Sequence, residues 1–445
     1  MRKLLATASA AAILFLCIMP SAFGAWPASV LRDSGVRMDS GIYLLANAED
    51  GELLISRSVN KRTAPASLTK IATAAVILEE CKDLTETVTV LQSDLDALYQ
   101  TNSSASGLRR GEVRTIRELL ACLLLASGND AAVVLARHVG NITERMNAFA
   151  QSAGCTNTQF KNPHGLDEDG HYSSAHDILR MTMKAMEYPV FEELVAMTEY
   201  TLPERAGFPQ RKLQNINRLM NRFVPDYYSP YARGVKTGFT TAAGNCLVSY
   251  AQHNGYRYYT VVLQGKRQKH DTKSYEIITS FTDTRKLLAW AFDSLRLARV
   301  VTPADVLHEV PLLYSATGDA MSLGSSGDVY MLIPRGIDPR GLLIRADEST
   351  MPEELEAPLK QGDSVGRANI YYANNEIGSL ELVAMEDAQR SAFKYAVNKV
   401  SNLVRQVVFR LVLAVLAVLA AGFVVLRIYQ NKKKKSGPQK VQFRL

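Results

Sequence analysis

The chain has 445 residues, 47% of them hydrophobic and 21% charged, which implies two or three domains and an ample core. Its formal net charge of +7 comes from its ends: Arg427 to Leu445 holds seven Lys or Arg and no acid, and Arg2 and Lys3 add two more. The stretch between is slightly acidic, which excludes a basic nucleic-acid-binding face.

Residues 1–24 carry a signal-peptide pattern. Arg2 and Lys3 are the positive region, Leu4 to Met19 is almost wholly apolar, and Ala22-Phe23-Gly24 places small residues at the cleavage positions before Ala25. A retained anchor is the other reading of this segment. Cys17 follows Leu16, where a lipoprotein acceptor would need a small residue.

Residues 26–297 read as one α/β domain. Strands are expected over Gly41–Ala48 and Glu52–Arg57, around a turn at Glu49-Asp50-Gly51. Pro65 suits a first helical turn, and the helix runs to about Cys81. Thr115-Ile116-Arg117-Glu118 is a capping box that opens a helix to Ala126. Further helices follow over Asp130–Val139 and up to Ala153. Cys246–His253 and Tyr256–Gln264 read as paired strands around Asn254-Gly255, and Thr272–Leu297 as a long closing helix. Strands at both ends with helices between suit an antiparallel sheet packed by helices.

Residues 300–385 alternate strand-like runs with Gly, Asp and Asn turns, and read as a small all-β module. Residues 386–406 read as an amphipathic linker helix. Residues 407–428 are long and apolar enough to span a bilayer if Arg410 and Arg427 snorkel. An interfacial helix is the alternative, but the stretch lacks a polar face. Residues 429–445 form a basic tail, cytoplasmic by the positive-inside rule. The main body is thus expected outside the cytoplasm, held at the outer face of the membrane. Cys81, Cys122, Cys155 and Cys246 remain after processing. Cys81 and Cys122 read as buried thiols, and spacing gives no disulfide pairing.

Three segments carry the chemistry: Ser67-Leu68-Thr69-Lys70, Ser127-Gly128-Asn129 and Lys236-Thr237-Gly238. They read as S-x-x-K, S-x-N and K-T-G. Each is weak alone, since a chain this long holds roughly two chance S-x-x-K matches; Ser58-Val59-Asn60-Lys61 and Ser391-Ala392-Phe393-Lys394 are such matches. Order and context lift the set. Ser67 opens an apolar helical run, Ser127 stands between two helices, and Lys236 precedes a strand-like run.

Ser67 and Lys70 share one helical face. A lysine that takes the serine proton has to be neutral, which burial or a nearby cation such as Lys236 would favour. Ser127 is placed to relay a proton to a leaving amine, and Asn129 to hold a substrate amide. Lys236 and Thr237 suit a terminal carboxylate, and Gly238 permits close approach of substrate. Backbone N–H groups of Ser67 and Phe239 are the expected oxyanion donors.

These segments, with Asn162-Pro163-His164-Gly165-Leu166, Asn215, Asn217 and Ala357-Pro358-Leu359-Lys360-Gln361-Gly362-Asp363, carry a family resemblance. From about residue 38 to 385 the chain resembles the low-molecular-mass penicillin-binding proteins that act as serine D-alanyl-D-alanine carboxypeptidases. The resemblance implies the fold shared with β-lactamases, removal of the terminal D-alanine from peptidoglycan pentapeptide stems, and acylation of Ser67 by β-lactams. It implies no metal, and no cofactor is expected. Ile216 stands where some members have Arg, and Phe239 where some have His, which bears on substrate preference.

A β-lactamase shares the three motifs, but no E-x-x-L-N segment lies between Asn129 and Lys236. A D,D-endopeptidase cutting cross-links and a non-catalytic wall-binding scaffold are the other readings. His164, His171 and His176 lie near Asp167, Asp169 and Asp177 in sequence; a metal site there would lack an H-E-x-x-H pattern.

Overall fold

The computed structural model describes residues 25–435 apart from 28, 102 and 271–273. The expected signal peptide and the tail beyond 435 fall outside them. The described chain forms two compact units: residues up to Thr302 with 328–345 and 368–380, and 303–327 with 346–367 and 381 onward.

The first unit contains a five-stranded antiparallel sheet. Strands β1 (Ile42–Asn47) and β2 (Leu53–Arg57) form a hairpin, and β3 (Lys236–Thr240), β4 (Gly244–His253) and β5 (Tyr256–Gly265) form a meander. Their spatial order is β2-β1-β5-β4-β3. The Asn254-Gly255 turn sets His253 opposite Tyr256, as its sequence predicts. Strand β3 lies at the edge, so alternate backbone groups of Lys236–Thr240 are free of sheet partners.

Both faces of the sheet are covered, and side-chain alternation decides which residue goes where. Cys246, Val248 and Tyr250 join Leu44, Ala46, Val261 and the helix Lys70–Glu80 in the main core. Leu247 points the other way and packs with Tyr227, Ile278 and Phe281. Nine of the eleven residues in Lys70–Glu80 are buried, which an interior helix apolar on all sides requires. The capping box at Thr115 is formed: Glu118 N donates to Thr115 Oγ1 at 3.1 Å, and Thr115 N to Glu118 Oε2 at 3.2 Å.

The closing helix is shorter than the sequence predicts. Glu276–Ile278 is a strand paired with Arg267–Lys269, the helix spans Thr279–Ser294, and Leu295–Val301 is a strand paired with Val329–Pro334. The run Leu295–Val301 has apolar residues at 295, 297, 298, 300 and 301, which fixes neither a helical nor a strand period, and pairing with Val329–Pro334 decides.

In the second unit, Val310 faces Met321, Leu323 faces Ala384, and Leu312 runs parallel to Leu355. The β character expected here is present. One helix, Ala392–Lys435, follows. It starts later than Glu386 because the preceding segment bridges back into the β structure: Ala388 pairs with Leu359 and Arg390 with Ser315. Over Ala392–Gln430 this helix is long and apolar enough to cross a membrane. The four described cysteines are free thiols.

Candidate active site

Ser67 lies in a 3-10 turn, Ala66–Thr69, that runs directly into the buried helix Lys70–Glu80. Ala66 takes a φ of +49°, a left-handed value that an alanine holds only when its surroundings impose it. Two glycines allow those surroundings to close in. A Cβ on Gly165, whose φ is +87°, would overlap the Ala66 carbonyl oxygen. A Cβ on Gly238 would sit 3.1 Å from the Ser67 backbone nitrogen. The close approach at Gly238 is thus made by the Ser67 turn.

Lys70 is fully buried, and its amine has three neighbours. Ser67 Oγ lies 2.9 Å away, Asn129 Oδ1 2.6 Å and the His164 carbonyl 2.9 Å. The two carbonyl oxygens can only accept, whereas the serine hydroxyl can donate. An ammonium would donate to all three; once neutral, the amine can keep two N–H groups on the carbonyls and turn its lone pair to the Ser67 hydroxyl. Burial pushes the Lys70 amine well below its ordinary range, the charge of Lys236 adds to this, and the Asp130 carboxylate opposes it.

Ser127 also takes a left-handed φ, +58°, between the helices Ile116–Leu124 and Asn129–Val139. The Asp130 carboxylate holds this turn by accepting from Ser106 N, Ser106 Oγ, Leu108 N and Ala131 N, at 2.9–3.0 Å. Lys236 Nζ donates to Ser127 Oγ at 2.8 Å and to the Thr237 carbonyl at 2.9 Å. Burial brings the Lys236 amine down to about 7. Ser67, Lys70, Ser127, Asn129 and Lys236 therefore meet in one cluster of two Ser–Lys pairs. Thr237, Gly238 and Phe239 continue from it along the free edge of β3.

Several contributors make contacts that the sequence does not give. Asn162 Oδ1 accepts from Gly165 N at 2.7 Å, and Thr73 Oγ1 donates to the Pro163 carbonyl at 2.6 Å. Together they hold the loop that presents the His164 carbonyl to Lys70. Thr73, one turn after Lys70, is the one polar residue between Ile71 and Leu78. Asn217 is buried and donates to the Gly234 carbonyl at 3.0 Å, while Asn215 Oδ1 accepts from Asn217 N at 2.9 Å. Both asparagines brace the approach to Lys236. Ile216, between them, is exposed, as is Phe239.

Among the described residues no three of His, Cys, Asp and Glu are grouped as a metal site would need. His171 is occupied elsewhere: its Nδ1 accepts from Lys161 N at 3.0 Å, which leaves the proton on Nε2 to meet Thr69 Oγ1 at 2.9 Å. Asp177 accepts from Asn157 N and Thr158 Oγ1, and Asp167 from Thr240 Oγ1.

The fold is that of the penicillin-binding proteins. The crystal structure of penicillin-binding protein 5 from Haemophilus influenzae matches with a TM-score of 0.56 at 26% identity, covering 80% of this chain and 98% of that one. The family model of D-alanyl-D-alanine carboxypeptidase matches residues 29–267, and that of the penicillin-binding protein 5 C-terminal domain matches residues 305–390. The carboxypeptidase DacC of Escherichia coli (strain K12) is 30% identical over 87% of this chain and 92% of its own length. DacF of Bacillus subtilis (strain 168) is 28% identical over 88% and 96%. The chain belongs to the D-alanyl-D-alanine carboxypeptidase family and is an enzyme of that class.

Proposed function

We propose that the chain removes the terminal D-alanine from peptidoglycan pentapeptide stems through an acyl-enzyme on Ser67. The observation that carries this reading is the amine of Lys70, 2.9 Å from Ser67 Oγ with two carbonyls fixing its N–H groups. Lys70 takes the Ser67 proton as Oγ attacks the carbonyl of the penultimate D-alanine. The N–H groups of Ser67 and Phe239 hold the oxyanion. As the C–N bond breaks, the leaving amine takes a proton through Ser127, backed by Lys236. Water then cleaves the Ser67 ester, with Lys70 again the base, and regenerates the hydroxyl.

The remaining Asn129 N–H groups face the substrate amide, and Lys236 with Thr237 faces the terminal carboxylate. A β-lactam presents the same carbonyl and carboxylate, and its ring opening leaves Ser67 acylated. Residues 1–24 direct export, residues 26–297 are the peptidase domain, 300–385 the β domain, and 407–428 tether the enzyme at the outer face of the cytoplasmic membrane with 429–445 inside. The test is D-alanine release from a diacetyl-Lys-D-Ala-D-Ala peptide by the full chain and by Ser67→Ala. Release by the wild type alone supports the reading. Release by both removes Ser67 from the mechanism.

A further inference from the structure

The C-terminal helix is exposed and carries an uncovered apolar stripe. Ahead of the expected membrane span, Phe393, Val397, Val400, Val404 and Val407 recur alternately four and three residues apart, the seam spacing of a coiled coil. Phe393, Val397, Val400 and Val404 are each 51–77% exposed. The positions away from them hold Lys394, Asn398, Lys399, Ser401, Asn402 and Arg405.

The helix meets its own unit on the opposite side. Lys394 Nζ donates to Asp319 Oδ1 at 2.8 Å, and the Tyr395 ring lies edge-on to Tyr314 with centroids 5.3 Å apart. At about 100° per residue, Tyr395 is diametrically across from the seam. The contact that orients the helix therefore turns the seam outward.

The same face continues into the span. In the same seven-residue frame Ala414 and Ala421 fall on the seam, with Ala417 beside it. In water an apolar seam demands cover; in lipid small residues let helix backbones approach. One face meets both requirements. The bilayer surface cannot be that cover, because the helix is unbroken from Ala392 to Lys435. Residues 392–406 stand roughly 22 Å proud of a span that starts at 407.

We propose that a second copy of this chain covers the seam, as a parallel, in-register helix pair. Both copies enter the membrane in the same direction, which dictates parallel pairing. The flanking pairs it creates are Ala396 with Ser401 and Leu403 with Val408, so no like charges oppose each other. Lys399 and Arg405 stay off the seam. The effect is to hold two catalytic units on one membrane patch. The inference rests on the membrane-anchor reading.

The test is oxidative cross-linking of the full chain in membranes, with Val400→Cys and Val404→Cys on the seam and Asn402→Cys on the opposite face. Dimer bands at the seam positions and their loss at Asn402 are expected. Adding Val397→Glu should abolish the Val404→Cys dimer while D-alanine release from a soluble peptide is retained. Alkaline carbonate extraction of the same membranes separates the two readings. Retention without seam-specific cross-links overturns the pairing and leaves the anchor. Release by carbonate overturns the anchor and with it the parallel pair.

Discussion

Gly165 packs so closely on Ala66 that the Ala66 carbonyl oxygen occupies the volume a side chain at 165 would need. The loop carrying the His164 carbonyl and the turn carrying Ser67 thus meet backbone to backbone, with the Thr69 hydroxyl alongside. Gly165→Ala adds both this overlap and a left-handed strain at φ +87°. The expected cost is roughly 2–4 kcal/mol of stability. Acylation of the surviving folded enzyme should also fall at least tenfold, because the His164 carbonyl moves off Lys70. Thermal melts and labelling by a fluorescent penicillin read the two effects. A variant with wild-type labelling would show that this contact does not position the base.

The charges around Lys70 predict opposite shifts in two variants. Lys236 lowers the Lys70 pKa and Asp130 raises it. Under the proposed mechanism acylation needs a neutral Lys70, so activity is lost as pH falls through its depressed pKa. Lys236→Gln should move that acid limb to higher pH, together with a lower plateau from the loss of the Ser127 partner. Asp130→Asn should move it to lower pH, with a stability loss of about 1–3 kcal/mol from weakened buried acceptors. The measurement is the second-order acylation rate against pH. Limbs that move the same way in both variants would remove Lys70 as the titrating base.

The shortest hydrogen bond of the Thr73 hydroxyl is to the Pro163 carbonyl, next to the His164 carbonyl that meets Lys70. Thr73→Val keeps the shape of the side chain and leaves that carbonyl without its donor. A three- to thirtyfold drop in kcat for peptide hydrolysis is expected, with KM little changed, since the lost contact orients the base rather than the substrate. Thr73→Ser should recover most of the rate. Equal rates in all three proteins would make Thr73 a packing residue alone.

The parts of the site that could be read ahead of the structure are those whose side chains carry the proposed chemistry. Ser67, Lys70, Ser127, Asn129 and Lys236 stand in short motifs, and each motif sits at an element boundary that turns and caps announce. The parts that could not be read act through backbone. Asn162-Pro163-His164-Gly165-Leu166 is legible as a segment of the family resemblance, but nothing in its residue types says that the His164 carbonyl meets Lys70 or that Gly165 packs on Ala66. Asn217 stands in the sequence only as part of the family resemblance, and its burial against the Gly234 carbonyl could not be read there. In the fold, the Asn254-Gly255 hairpin and the Thr115 capping box were legible because local hydrogen bonding decides them. Leu295–Val301 was not, because its partner strand begins at Val329, and a distant partner decides between strand and helix.

His171 gives the fold a pH dependence of its own. Burial holds its imidazole down to about 4 from 6.5, against the pull of Glu168 and Asp167. The ring is neutral in the folded chain, where Nδ1 accepts from Lys161 N, so protonation there would break a bond beneath the Ser67 turn. When unfolded, the same histidine protonates below 6.5. Between 6.5 and about 4 the unfolded chain therefore binds more protons, and stability falls as pH falls through that window. The full loss from this one group is on the order of 3 kcal/mol. His171→Gln should be less stable than wild type at pH 7 but should lose less on acidification, so the two melting curves converge toward pH 4.5. Melting temperatures that fall in parallel would place the acid sensitivity elsewhere. Convergence would mean that the imidazole under the nucleophile helps set the acid limit of this enzyme.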